Sequence, residues 1–542
     1  MRQNEMMYVD NKLIRSLCII AAAFCLSCVF IFDKTKRIDS FTVSAFGICI
    51  IAAVVFLLRA DNRLTEQNIF ILLFAAGFLI RLNYILYTPV TLTRAVRQHD
   101  VWEFGSGMGH AGYIEHFYYN GFTLPNFNPI TVNQFYHPPL HHFIAAMWMR
   151  FLTALGMEYD RVVSNIQYLT LFYSVCCILV SERILSNLNV KGTGKFAALS
   201  IVAFHPSFII LAGSINNDIL SVLFILLAVN ATVRWYRFPK MSNIIWVALT
   251  IGLGMMTKLS VALAAPPIAF VFLVKFIKTI RAKENWKNLF GQYLIFGTFS
   301  FPLGLWFYLR NYIIYGVPVN YVMRLSDKES HYLGNYTIME RLFKLGDKPF
   351  DNVFLRSTLY GDEYWEYNPI VTLVKTSIFG EYNYAYNNKD ILFPAKALLW
   401  INIILIAISV AAMVYCVVSE RIHVDIILRL FLLFYQVLNI VNYIVFSIQY
   451  PHTCSMDYRY IVPTCVIGAV YIGMLINHID LEILGKRCEL YDENNKMCMD
   501  CKMSNEEKNV KWLLKNIVKY AIITISVLFS VYSVTVYFML GQ

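Results

Sequence analysis

The sequence predicts an all-α, polytopic membrane protein, and three observations carry that reading. Of the 542 residues, 58% are hydrophobic, against roughly 45–50% in soluble domains, and 15% are charged, against roughly 25%. Mean hydropathy is +0.53. The apolar residues gather into about thirteen runs, each near the roughly 20 residues a helix needs to cross a bilayer. Together these exclude a disordered chain, a disulfide-rich secreted module and an ordinary soluble enzyme.

The expected spans are 13–32, 41–58, 68–87, 163–182, 196–212, 218–236, 243–257, 261–277, 290–310, 396–417, 425–447, 460–477 and 515–538. The segment 138–155 is apolar as well, but it carries His141, His142 and Arg150. Pro138 and Pro139 suit a helix start, where a missing N–H costs nothing. This helix is expected to lie on the membrane surface, with His142 as ready to face water as a ligand.

Charge sets the orientation. Lys and Arg exceed Asp and Glu by 11. The cations sit in short loops between apolar runs, so they read as topology and not as a nucleic-acid footprint. With the N-terminus in the cytoplasm, the short inner segments hold about 24 Lys and Arg and the short outer ones about five. Lys34, Lys36 and Arg37 in the first loop break the rule locally. Segments 88–162 and 312–395 then face outward and 478–514 faces the cytoplasm. The first run starts late and lacks a small-residue cleavage site, so it is expected to stay as an anchor. No internal repeat is found, which weighs against a secondary transporter.

Of 12 Cys, eight lie in apolar runs, where thiols fill space, and no regular set implies a disulfide framework. Cys498-x-x-Cys501 with Cys488 is half a zinc site, with His478 as a fourth ligand; three reduced thiols are the simpler reading.

In so apolar a chain the informative residues are charges at helix ends or at membrane depth, which are costly to hold there. Asp100 follows His99 in the first outer loop, with Glu103 close by; a carboxylate there can serve as a general base, or be a plain surface acid. Asp218 ends the tight turn Ser214-Ile215-Asn216-Asn217-Asp218, where helix capping is the competing reading. Lys258, Arg310 and Arg459 put a cation at about the same depth on three separate spans. Such a ring suits an anionic phosphate, and snorkelling to lipid head groups would look the same. Arg81 either joins this set or pairs with a carboxylate. Six of the 11 His fall in 88–162, among them His137 and His141, four apart and able to share a helix face. That spacing can hold a metal, but hydrogen bonding to a polar substrate fits better; no cofactor is assigned, and a divalent metal stays open. The loop 312–395 is rich in Tyr and Trp, which suits sugar stacking or a membrane-interface belt.

The order of these features resembles one family. His99-Asp100 follows a span, and Tyr136-His137-Pro138-Pro139-Leu140-His141-His142 opens the surface helix. His205-Pro206 leads to Asn216-Asn217-Asp218; Thr257-Lys258 ends a later span; Arg310-Asn311-Tyr312 precedes the second outer loop; Arg459-Tyr460-Ile461-Val462-Pro463 opens a late span. Over roughly residues 68–477 this is similar to GT-C superfamily glycosyltransferases, the group holding protein O-mannosyltransferases and bacterial aminoarabinose-to-lipid A transferases.

The resemblance implies a GT-C-like bundle with extracytoplasmic surface helices. It divides the chain into 1–67 (a tail and two extra spans), a catalytic core 68–311, the outer loop 312–395, and C-terminal spans 396–542. It implies transfer of a sugar from a polyprenyl-phosphate carrier to a glycan, lipid or protein acceptor at the outer face of a plasma (inner) membrane, usually with inversion. Asp100 maps to the base and Asp218 to the second acid; Lys258 and Arg459, with Arg310, map to the phosphate-binding cations. His99, Glu103, His137 and His141 join them as substrate-binding candidates. Asp100 is followed by Val101 where the O-mannosyltransferases carry an adjacent Asp-Glu, and 312–395 is too short for their large luminal domain. The alternative is a polyprenyl-lipid or solute transporter or flippase, which would keep its charges at the membrane midplane.

Overall fold

The computed structural model describes residues 2–32, 39–90, 104–346, 349–357, 364–381, 389–490 and 505–541. Three long helices open the chain: α1 Arg2–Phe32, α2 Ser40–Ala60 and α3 Glu66–Tyr87. The first loop folds into α4 Gly109–Tyr119, α5 Leu140–Ala154 and α6 Tyr159–Ser164. The central bundle holds α7 Ile166–Asn187, α8 Gly192–Phe204, α9 Pro206–Gly213, α10 Asp218–Arg237, α11 Met241–Met255, α12 Ala265–Arg281 and α13 Trp286–Tyr315. After α14 Ile338–Phe343 and α15 Pro369–Phe379 come α16 Leu392–Val418, α17 Ile426–Gln449, α18 Pro463–Leu490 and α19 Asn505–Met539. The only ladder among the described residues pairs Arg356 with Trp365 and Ser357 with Tyr364.

The all-helical membrane class is as expected. Among the described residues ten helices are long and apolar enough to cross a membrane, and the bent pair α8–α9 makes eleven. The expected spans 243–257 and 290–310 are helices too, within α11 and α13, but neither is among those ten, so the count of thirteen is not reached by that measure. At 15 residues α11 is short for a span. Coverage differs among the spans: α7 and α10 are largely buried, whereas α2 has only 6% of its apolar window covered by the rest of the fold.

The break between α8 and α9 follows from His205-Pro206. Pro206 has no N–H to give the Val202 carbonyl one turn back. The Ser207 N–H turns to His205 Nδ1 at 3.3 Å, which frees the Ala203 carbonyl. In an apolar bundle such carbonyls need partners. Arg81 supplies them: Nη1 donates to Ala203 and Gly77, Nη2 to Val202, and Nε to Ser174 Oγ at 2.8 Å. Ser533 of α19 takes the Phe204 carbonyl. Arg81 is therefore the partner of a broken helix, not of a carboxylate.

The first loop packs down instead of standing in solvent. α5 begins right after Pro138-Pro139, as expected, but His137 precedes the helix, so His137 and His141 share no helix face. His142 does not face water; it is 0% exposed. The Leu140 N–H donates to the Met256 carbonyl at 3.1 Å, tying α5 to the end of α11. At the far end of α18, Lys519 bonds Asp480 at 2.5 Å and Lys515 bonds Glu482, fixing α19 along it. Cys498 and Cys501 lie outside the described residues.

Candidate functional site

Three chain breaks meet at one end of the bundle: the turn before α10, the residues after α11, and the short helical turn Tyr458–Tyr460 before α18. Asp218 is the first residue of α10, not its cap; Asn217 holds the cap position. Asn216 clamps Asp218 twice, its Oδ1 accepting the Asp218 N–H and its Nδ2 donating to Oδ2, both at 3.0 Å. The carboxylate thus sits in the positive field of a helix N-terminus. Asn217 Nδ2 donates to the Thr257 carbonyl at 2.8 Å, which sets Lys258 opposite Asp218. Asp457 Oδ1 accepts the Arg459 N–H at 2.7 Å and fixes the turn that presents Arg459.

The result is a compact ion cluster. Lys258 Nζ forms a hydrogen-bonded pair with Asp218 Oδ1, and Arg459 Nη1 lies 3.6 Å from Asp218 Oδ2. Asp457, 2% exposed on the Arg459 turn, brings a second carboxylate beside them. The Asp218 and Arg459 side chains are 3% and 5% exposed and that of Lys258 15%, so Lys258 is the most open member. The Tyr460 ring lies against both cations, with centroid distances of 5.2 Å to Lys258 Nζ and 5.0 Å to Arg459 Cζ. Arg310 stands apart: Nη2 donates to the Pro125 carbonyl at 2.7 Å and Nη1 to Asn311 at 2.9 Å, so it ties α13 to the first loop.

The first-loop histidines close one side. His141 Nε2 bonds the Ile215 carbonyl at 2.7 Å, directly on the Asp218 turn. His110 Nδ1 bonds His142 Nε2 at 2.8 Å, and the His110 ring stacks against His137 and His142. Burial pushes the His141 imidazole down to about 4, with the Ile215 carbonyl and Asp218 pulling the other way. Burial also holds His110 well below the ordinary range, helped by its neighbouring histidines and by Lys258 and Arg459. The positive potential of the cluster therefore reaches this stack. His142 is depressed by burial and by the same histidines. These rings are neutral at pH 7.

Asp218, Lys258 and Arg459 are brought together, and His141 stands behind them. His99, Asp100 and Glu103 lie outside the described residues. Among the described residues no group of three or more His, Cys, Asp or Glu is placed to hold a metal ion. Sequence reasoning did not single out His110, Tyr113 or Asp457. The first two sit on α4, whose buried face reads as ordinary core; Asp457, two residues before Arg459, is the one a turn-cap search would have found.

Fold and site together define a multi-pass, all-helical membrane protein with a buried carboxylate–cation cluster at one end of the bundle. Over residues 136–306 the chain matches the family described as dolichyl-phosphate-mannose-protein mannosyltransferase, which upholds the resemblance to GT-C glycosyltransferases drawn from its residues. The matched segment contains His137, His141, Asp218 and Lys258; Arg310 and Arg459 lie beyond it. Among solved structures, the apo oligosaccharyltransferase of Archaeoglobus fulgidus aligns with 85% of this chain and 55% of its own, at 12% identity and a TM-score of 0.46. Apo ArnT from Cupriavidus metallidurans aligns with 88% of this chain and 77% of its own, at 11% identity and a TM-score of 0.46. The chain thus spans about half the length of the archaeal protein. No curated protein sequence matches the chain.

Proposed function

We propose that this protein is a membrane glycosyltransferase that moves a sugar from a polyprenyl-phosphate carrier to an acceptor hydroxyl, with inversion, at the extracytoplasmic face of a plasma membrane. The observation that carries the reading is the ion cluster: Lys258 and Arg459, from separate parts of the chain, converge on the buried Asp218 carboxylate, with Lys258 the most open of the three. The family match over 136–306 supports the same class.

The chemistry follows from these cations. The acceptor oxygen attacks the anomeric carbon while the bond to the carrier phosphate breaks. Asp100 takes the acceptor proton. The departing phosphate gains negative charge where Lys258 and Arg459 await it, and phosphate is a good enough leaving group to need no strong acid. Arg459 can meet it through two parallel N–H groups, Lys258 as a point charge. Preorganised donors in a water-poor site contribute about 10²–10³ in rate. Asp218 holds the two cations in place before the donor arrives, and His141, through the Ile215 carbonyl, holds the Asp218 turn. Enzyme in lipid nanodiscs supplied with a polyprenyl-phosphate sugar tests this. Asp100→Asn is expected to lower transfer about 10²–10⁴-fold; near-full transfer by that variant would remove Asp100 from the mechanism.

A further inference from the structure

A second feature lies in the first loop, away from the ion cluster. Between the chain at 104–107, α4 and the start of α6 is a cleft of about 590 Å³. That is within the range of about 300–1,000 Å³ usual for small-ligand sites. Its rim is built, not loose. The Gly105 N–H donates to both oxygens of Glu115, at 3.0 and 2.9 Å. The Gly107 backbone packs on α4 at Gly112, where a Cβ would meet the Gly107 carbonyl carbon at 2.3 Å, so only glycine allows the contact. Gly105 and Gly107 have φ of +87° and +69°, the left-handed backbone this turn requires.

The lining is of two kinds. Glu115 is 8% exposed and accepts from Gly105 and the Tyr159 hydroxyl, which does not exhaust a carboxylate that offers about four lone-pair sites. Facing it are aromatic rings: Tyr119, 61% exposed and stacked with Tyr159 at 6.2 Å, and Phe127 and Phe135 on the inner wall. A buried carboxylate on the cleft wall beside flat, partly exposed aromatic faces matches a pyranose, which has hydroxyls on its edge and C–H groups on its face. Two ring contacts link the cleft's inner wall to the histidines beside the ion cluster. Phe135 stacks on Tyr113 at 4.5 Å, and Tyr113 stacks on His142 at 4.4 Å. In the sequence Asp100 precedes the rim residue Phe104 by four positions, a reach of at most about 14 Å.

We propose that this cleft is a carbohydrate subsite, holding a neutral sugar unit of a glycan acceptor while the acceptor's reacting hydroxyl lies at the ion cluster. The proposal rests on the glycosyltransferase reading, since it supplies the acceptor end of that reaction. Glu115 takes sugar hydroxyls, and Tyr119 takes the apolar face of the ring.

The test is binding without turnover. Fluorescently labelled di- and trisaccharides of mannose, glucose, galactose and N-acetylglucosamine are titrated against the full chain in nanodiscs, with no donor present. At least one is expected to bind saturably, and Tyr119→Ala and Glu115→Gln each to weaken it ten-fold or more. Tyr119 is exposed, so its variant keeps the test valid if Glu115→Gln fails to fold. Lys258→Ala is expected to bind the sugar as well as the parent does and to fail in transfer. Absence of binding by all these sugars, or binding indifferent to Tyr119→Ala, overturns the subsite. Normal transfer by Lys258→Ala would instead overturn the proposed donor site and leave the cleft result standing.

Discussion

Arg81 and Arg459 are both buried, 0% and 7% exposed, yet their guanidinium groups are held by different chemistry. Arg81 sits among carbonyls freed by a helix break and one serine hydroxyl. Dipoles surround its charge, and four of its five N–H donors are hydrogen-bonded within the fold. Arg459 instead shares the Asp218 carboxylate with Lys258. There charge answers charge. A cation held by backbone dipoles inside an apolar bundle is a structural fastener; cations gathered on a carboxylate where chain breaks meet are placed to receive an anion.

Four sets of measurements break or sharpen that contrast. The largest effect is expected at Arg81. Arg81→Met leaves several buried acceptors bare, at about 1–3 kcal/mol each, and thermal unfolding in detergent should show a loss on the order of 3–5 kcal/mol. Arg81→Lys should not restore it, because one ammonium cannot serve acceptors spread across α3, α7 and α8. A stable but inactive Arg81→Met would move Arg81 into the working site.

Next in size are Lys258→Ala and Arg459→Ala, each expected to lower transfer about 10²–10³-fold with the melting temperature nearly unchanged. Losses of stability without a matching loss of turnover in the folded fraction would erase the contrast with Arg81.

A smaller effect is expected from pH. His110, His141 and His142 have folded-state values depressed below the unfolded value near 6.5. Above that pH neither state binds the proton. As pH falls below about 6.5 the unfolded chain takes up protons that the buried rings refuse, so stability falls, by about 1.4 kcal/mol per pH unit for each ring. For His141 the loss continues to about pH 4. Melting temperatures from pH 7 to 4 measure it, and His141→Gln should flatten the slope; a flat parent profile contradicts neutral burial.

The smallest effect is expected at Arg310. Its bond to the Pro125 carbonyl is worth about 0.5–1.5 kcal/mol, so Arg310→Ala should reduce transfer about ten-fold or less. A loss as large as that of Lys258→Ala would place Arg310 on the phosphate as well.

The helices and the membrane class were legible because apolar periodicity and run length are local properties. α5 was legible from Pro138-Pro139, whereas 196–212, expected as one span, is broken at His205-Pro206. What could not be read was the partner of each polar exception. His142 and His141 look alike in sequence, yet one bonds His110 and the other a carbonyl of the Asp218 turn. For Asp218 the sequence leaves capping and a substrate role both open; the carboxylate of this first α10 residue faces Lys258 and Arg459. Arg81 reads as one more outer-end cation until the carbonyls of α8 are counted.

By itself the sequence determined how many apolar runs there are, where they break, and which few charges must be explained. Burial energy and chain length act residue by residue, so composition and spacing suffice for that. Only the tertiary structure decided which charges meet. Coulomb and hydrogen-bond energies act over a few ångströms, and no spacing along the chain says that the start of α10, the end of α11 and the turn before α18 close around one carboxylate.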